Sequence, residues 1–354
     1  MVQGPAVNED FQPWEPEPSW VPGRLKLARE LRGLTRAELA VALDKSAAAV
    51  GQYEAAVIQP QRRAWRTLAT ALSLPPAFFR LPDAPVLPSA FFRPDRTVPQ
   101  VAYRRSAAIA GLLGELYGQL RPAGSDQKAD IPRVRLSVGT PAELELVAEG
   151  IRVAWDLGNH PIDDLTALLE QRHIIVASVN DKPAPTGSFS TWIGDTPWLF
   201  SAASAASPAQ TRLDTAHELG HLVMHTSQDI GTADAERQAD SFALAFLMPR
   251  RAFEFASPRI TDPALAELKR VWGVPMAALV KRGYDLELIS EASYRRSHAR
   301  LNRAAYRAKE PGELTPERPQ TLPTLVEAAR GNGTLDGALD AVAWPKSLLH
   351  ELVD

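Results

Sequence analysis

The stretch His217-Glu218-Leu219-Gly220-His221 constrains this chain more than any other. Leu213 to Ala216 before it and Leu222-Val223-Met224 after it let it sit inside one helix. Side chains four apart on a helix stand nearly one above the other, so His217 and His221 can point two imidazoles at a single metal ion. Glu218 can reach a water bound to that ion. Two histidines, a glutamate base and one position left for water are the parts that metal-assisted hydrolysis needs. The pattern has only three fixed positions and also occurs in ordinary surface helices. Its weight therefore depends on a third ligand.

Asp234 to Phe246 reads as the next helix, with Ala235, Ala239, Phe242, Ala243 and Phe246 at helical spacing. Glu236 lies 15 residues past His221, enough for a turn and a return of the chain. It is the candidate third ligand, against the plain alternative of a solvated surface glutamate. Asp240, one turn on, is a candidate ligand or a carboxylate that orients a ligand imidazole. The chain has no cysteine, so disulfides and thiolate ligands are excluded and His, Asp, Glu or water must hold any metal. Zinc is the expected ion, and two His with one Glu also accept manganese or iron. His225, four past His221, is a candidate to stabilise an oxyanion or touch substrate; the alternative is a histidine interacting with the helix-end dipole. His160, His173, His298 and His350 have no partner spacing and read as structural or surface residues.

At 354 residues the chain has room for two to three domains. Its net charge of −3 rules out polyanion binding by bulk charge alone, but the charge is unevenly spread. Residues 1–20 are acidic and proline-rich without periodicity, which predicts a flexible arm rather than a signal peptide. Residues 22–80 carry ten basic and four acidic side chains, about +6 against about −9 for the rest. Four short helices are legible there. Leu25, Ala28 and Leu31 mark the first. Thr35 and Glu38 form a capping box for the second, Ser46 caps the third, and the fourth carries Trp65, Leu68 and Leu72 and ends before Pro75-Pro76.

Short helices, tight turns and a basic surface suggest a helix-turn-helix unit. Leu34-Thr35-Arg36-Ala37-Glu38-Leu39-Ala40, then Ser46, Val50 and Tyr53-Glu54, then Pro60 and Leu68 to Leu72, resemble the lambda-repressor/XRE type. The third helix departs from that type, because Ala47-Ala48-Ala49 cannot hydrogen-bond base edges. Arg36, Lys45 and Gln52 are the remaining candidate base contacts, and Arg62, Arg63 and Arg66 candidate phosphate contacts. A helical module for protein docking or homodimer formation is the alternative.

Residues 81–100 form a proline-rich connector in which Ala90-Phe91-Phe92-Arg93 is expected to dock on a domain. Residues 101–120 read as a helix, weakened by Gly111, Gly114 and Gly118. From about 140 two helices, a short strand near Ile174-Ile175-Val176 and a hairpin over Ser188 to Phe200 precede the His217 helix. Residues 262–308 read as a second helix-turn-helix-like unit with a basic end, Tyr294 to Lys309. That end is a solvated face or a contact for nucleic acid or a partner. A proline-rich linker over 310–322 leads to two expected short helices in 323–354.

His217 to His221 with His225, then Glu236-Arg237-Gln238-Ala239-Asp240-Ser241-Phe242-Ala243 and Leu247-Met248-Pro249, resemble the ImmA/IrrE family of metallopeptidases over roughly 140–290. The resemblance implies that His217, His221 and Glu236 bind the metal and that Glu218 is the base. It also implies a protein substrate, a helix-turn-helix repressor whose removal switches on stress-response or mobile-element genes. Gln238 stands where many members have Glu, with no expected effect on ligation.

The expected fold is α+β and predominantly α. It comprises a flexible arm (1–20), an XRE-like unit of four or five helices (21–80) and a linker with a connecting helix (81–139). A zincin-like peptidase core with a small sheet (140–260), a helical subdomain (261–309) and a linker with C-terminal helices (310–354) follow. The expected function is a zinc endopeptidase coupled to transcription control; the alternative is a DNA-binding regulator whose peptidase-like domain docks a partner without cleaving it. No apolar run suits a membrane span, and a cytoplasmic location is expected.

Overall fold

The computed structural model describes residues 20–84, 91–92, 98–122, 124, 128–179, 187–202, 207–226, 228–229, 231–256, 261–302 and 310–353. The architecture is mostly helical with one small sheet, the α+β class expected. No helix among the described residues is long and apolar enough to cross a membrane.

The N-terminal unit comprises α1 (Pro22–Leu31), α2 (Arg36–Ala42), α3 (Ala47–Glu54), α4 (Arg62–Leu72) and a 3-10 turn at Pro76–Arg80. The starts of α2 and α3 follow from side-chain capping. Thr35 accepts the Glu38 N–H while the Glu38 carboxylate accepts the Thr35 N–H. Ser46 accepts the Ala49 N–H. Leu25, Leu31, Leu39, Val50, Leu68, Leu72, Phe78 and Phe79 fill the centre. Trp20 closes one end, stacked on Phe79 at 5.6 Å.

Helix α5 (Gln100–Leu120) runs unbroken through its three glycines. Gly114 has a packing reason: a Cβ there would lie 2.9 Å from Ile193 Cγ2, so the missing side chain lets α5 approach the hairpin. Arg24 fixes α1 to α5 through paired hydrogen bonds to Glu115, one of them 2.9 Å long.

Helices α6 (Pro141–Ala154) and α7 (Leu165–Gln171) lead into the sheet. Its strands are β1 (Phe91–Phe92), β2 (Ile175–Val179), β3 (Phe189–Ile193) and β4 (Thr196–Ala202), in the order β1-β3-β4-β2. β2 and β4 are parallel, with Val176 opposite Leu199. β3 and β4 form the expected hairpin, turning at Gly194 with φ +60. β1 pairs antiparallel with the other edge of β3, Phe91 opposite Ser190. Ser89 to Arg93 is the longest proline-free window between Pro82 and Pro99, so the linker forms its strand where backbone N–H groups are free to pair.

Strand alternation divides the apolar interior into two cores. Ile175, Ala177, Val179, Phe189, Trp198 and Phe200 join the N-terminal unit, α5 and the C-terminal helices. Val176 and Leu199 point the other way, into a core built on α6, α7, α8 (Pro208–Met224) and α9 (Ala233–Leu247). Helices α10 (Arg250–Ala256), α11 (Asp262–Trp272), α12 (Met276–Asp285) and α13 (Glu291–Leu301) follow, and α11 and α12 contribute to that second core. In the basic end of this region, Arg295 pairs with Glu291 and Arg300 with Asp262. Arg303, Arg307 and Lys309 lie outside the described residues.

The stretch after residue 310 is pinned along the second core. Glu310 binds Lys269 at 2.9 Å, Glu317 binds Arg212 and Thr166, and Glu170 accepts the Gln320 and Thr321 N–H groups. Three C-terminal helices follow rather than two: α14 (Thr321–Gly331), α15 (Leu335–Ala341) and α16 (Lys346–Leu352). Left-handed residues Gly333 (φ +76) and Ala343 (φ +50), with Pro345 two positions beyond the latter, separate the three helices. Glu351 returns to the N-terminal unit through Arg32 at 2.9 Å.

Candidate metal centre

Helix α8 starts where Ser207 accepts the Gln210 N–H and Pro208 occupies the first turn. Leu219, Leu222 and Val223 anchor its apolar side in the second core. Helix α9 starts behind Thr232, which accepts the Ala235 N–H. The two helices meet at Gly220. A Cβ there would lie 2.9 Å from Phe242 Cδ1 and 3.3 Å from the Ala239 Cα. The glycine inside the histidine motif thus permits the close approach that brings α9 to the imidazoles.

The Nε2 atoms of His217 and His221 are 3.0 Å apart. Glu236 places Oε2 3.4 Å from His217 Nε2 and Oε1 3.6 Å from His221 Nε2. A tetrahedral ion with bonds of about 2.0–2.1 Å separates its ligand atoms by about 3.3 Å. The three donors match that spacing within a few tenths of an ångström. Two imidazole nitrogens and a carboxylate, without sulfur, suit zinc. Among the described residues these three form the metal-capable cluster.

Asp240 Oδ1 lies 2.8 Å from His217 Nδ1, behind the ring rather than among the converging atoms. Of its two expected roles, this position suits the orienting one. Burial pulls the His217 imidazole down, but hydrogen bonds to Asp240 and Glu236 and the charge of Glu218 outweigh it and hold the group up at about 10. The surrounding carboxylates thus favour a positive charge on this ring.

Glu218 is 2 % exposed. Burial pushes its carboxyl up to about 7, against the opposing pull of His217 and of Ser190. The Ser190 hydroxyl, on β3, donates to Glu218 Oε2 at 2.7 Å. Ser190 was not legible as a site residue: it lies 28 positions upstream on a strand, and no spacing rule connects the two.

His225 occupies a different place from the one helical geometry suggests. Helix α8 ends at Met224, and His225 is extended at φ −110, ψ 155. Its ring turns back onto the far side of His221, with the two Nδ1 atoms 2.9 Å apart, and its Nε2 lies 2.9 Å from Gln238 Oε1. It is buried behind a ligand candidate, away from the atoms that converge on the centre, which is not the position of an oxyanion or substrate contact.

The candidate DNA contacts divide. Lys45 and Gln52 are exposed, at the α2–α3 turn and on α3. The Arg36 guanidinium is held at 2.7 Å by Glu54, which also binds the buried Arg29. Arg62 and Arg63 open α4, but their side chains lie outside the described residues.

Two family models match the sequence. The model of the M78 peptidases, described as an IrrE N-terminal-like domain, matches residues 170–283, and that of a helix-turn-helix domain matches residues 23–78. None of the curated proteins matches the chain. The first match contains β2 to β4, α8 and α9, hence every residue of the candidate centre; the second spans helices α1 to α4, from the second residue of α1 onward. The chain therefore carries an IrrE N-terminal-like domain of the M78 peptidase family behind an N-terminal helix-turn-helix domain.

Proposed function

We propose that this protein is a zinc-dependent endopeptidase coupled to transcription control, acting on a helix-turn-helix repressor. The observation that carries the proposal is the convergence of His217, His221 and Glu236 beside a buried Glu218. Nε2 of His217, Nε2 of His221 and a Glu236 carboxylate oxygen would hold the ion. A bound zinc supplies a lowered water pKa and a polarised scissile carbonyl. Glu218 accepts the proton of the attacking water and returns it to the leaving amine. Ser190 keeps the Glu218 carboxylate in one orientation, and Asp240 does the same for the His217 ring. The helix-turn-helix domain supports action near DNA, and the repressor as substrate follows the resemblance to ImmA/IrrE peptidases.

The test is co-expression with repressors encoded beside the gene, comparing the native chain with Glu218→Gln. The native chain should yield a defined repressor fragment, and the variant should retain about one zinc without producing it. Equal cutting by the variant would remove Glu218 as the base. Zinc far below one equivalent in both proteins would favour a regulator that docks its partner without cleaving.

A further inference from the structure

Whether His221 can bind a metal through Nε2 depends on which of its ring nitrogens carries the hydrogen. We infer that Gln238 and His225 are positioning residues that fix this tautomer, and that the turn Ser137–Gly139 sets Gln238 in turn. The inference rests on the metal-site reading above and adds residues to it.

The hydrogen bonds can be followed from the far end. Gln238 Oε1 faces His225 Nε2 at 2.9 Å. A carboxamide oxygen only accepts, so His225 Nε2 carries a hydrogen. Nδ1 of the neutral ring is then an acceptor, and it faces His221 Nδ1 at 2.9 Å. His221 Nδ1 must donate, which leaves a lone pair on its Nε2 facing His217 Nε2 and Glu236. Reversing the Gln238 amide would reverse every bond in this row. It would place a hydrogen on His221 Nε2, aimed at the centre. One amide orientation on α9 therefore decides whether the second imidazole of the motif can bind an ion.

The amide is held from outside the helix pair. Its nitrogen end lies against Gly139, where a Cβ would sit 2.1 Å from Gln238 Nε2 and 2.9 Å from its Cδ. Gly139 has φ +73, a conformation glycine adopts without strain. The turn is clamped by Glu143, whose carboxylate accepts the N–H groups of Ser137 at 2.6 Å, Val138 at 3.2 Å and Gly139 at 2.8 Å. The row thus runs from the first turn of α6 through Gly139, Gln238 and His225 to His221. Asp240 serves His217 in the corresponding way from the same helix, α9. A carboxylate behind one ligand and a neutral His–Gln row behind the other orient both rings without adding a second negative charge.

The test uses the full chain, with Gln238→Met (similar length, no acceptor), Gly139→Ala and His225→Asn, in which the carboxamide oxygen can take the place of Nδ1. Two quantities are measured: zinc affinity by chelator competition, and histidine ring ¹⁵N shifts of the metal-free, histidine-labelled protein, which report the tautomer. The native chain should show His221 with hydrogen on Nδ1. Gln238→Met and Gly139→Ala should mix the tautomers and weaken zinc by about 10–100-fold, the usual effect of removing such a partner. His225→Asn should keep both readouts within about threefold of native. Unchanged tautomer and affinity in Gln238→Met would overturn the inference, as would a loss in His225→Asn equal to that in Gln238→Met. If the native chain takes up no zinc, the metal-site reading fails, and the ring shifts of the metal-free protein still decide the row.

Discussion

Replacing Glu218 with Gln should make the metal-free protein more stable at pH 8 and change it little at pH 5. Glu218 is fully buried, and its carboxyl stands at about 7 instead of the ordinary 4.5. A raised carboxyl pKa means that the folded state holds the proton more tightly than the unfolded chain. The stability this provides is complete below 4.5 and is lost as the pH rises through 7. At about 1.4 kcal/mol per pH unit, the loss reaches ~3 kcal/mol by pH 8. The attraction of the charged His217 already moderates that value. Gln has the same length and carries no charge, and it can still accept the Ser190 hydrogen bond. The difference between the two proteins should therefore open between pH 5 and pH 7.

Urea unfolding in the presence of a chelator, followed by tryptophan fluorescence, measures this directly, because Trp155 and Trp198 are fully buried in the two cores. The variant should gain ~3 kcal/mol on the native protein at pH 8 and a small fraction of that at pH 5. Zinc should narrow the gap, since a cation beside Glu218 favours its ionised form. A gap that does not change with pH, or a native protein more stable than the variant at pH 8, would refute the reasoning. It would mean that the carboxylate is solvated in the metal-free protein and is not a base kept from water.

Gly220→Ala should cost about 1–3 kcal/mol, because its Cβ meets Phe242 and the Ala239 backbone. It should also weaken zinc at least about tenfold; unchanged affinity in chelator competition would reject the close-approach argument. Glu115→Gln leaves the buried Arg24 guanidinium without its countercharge and should cost ~3 kcal/mol in urea unfolding; a difference near zero would show that Pro82, which also accepts from Arg24, suffices. Lys45→Ala should weaken duplex DNA binding and lower the slope of log affinity against log salt by about 1. Arg36→Ala should change that slope less, since Glu54 already holds the guanidinium; the reverse order in a salt titration by fluorescence anisotropy would mean that DNA displaces Glu54.

Some of this fold was legible in the sequence because it depends on repeats shorter than one helix. Thr35 and Glu38 announce their helix within four residues, and Ser46 does the same for the next. His217 and His221 share a face because any helix puts them there, and Glu236 needed only a turn and a return. The limit of that reasoning shows at His225. Extending the helical angle by one more step gave it a contact at the reacting atoms, but helix α8 stops one residue earlier and the ring folds behind His221. Ser190 and the Ser137–Gly139 turn were beyond reach for a different reason. They approach the centre through sheet order and through packing of α6 on α9, neither of which any local period encodes. Gly114 counts as helix weakness in isolation, yet it and Gly220 each mark a place where a second element comes too close for a Cβ. The metal-capable pair His217 and His221 follows from one helical period, whereas Ser190 and Gly139 come to Glu218 and Gln238 from a strand and a turn far away in sequence. A search for the five-residue pattern alone therefore finds the candidate donors and misses the groups that pack behind them.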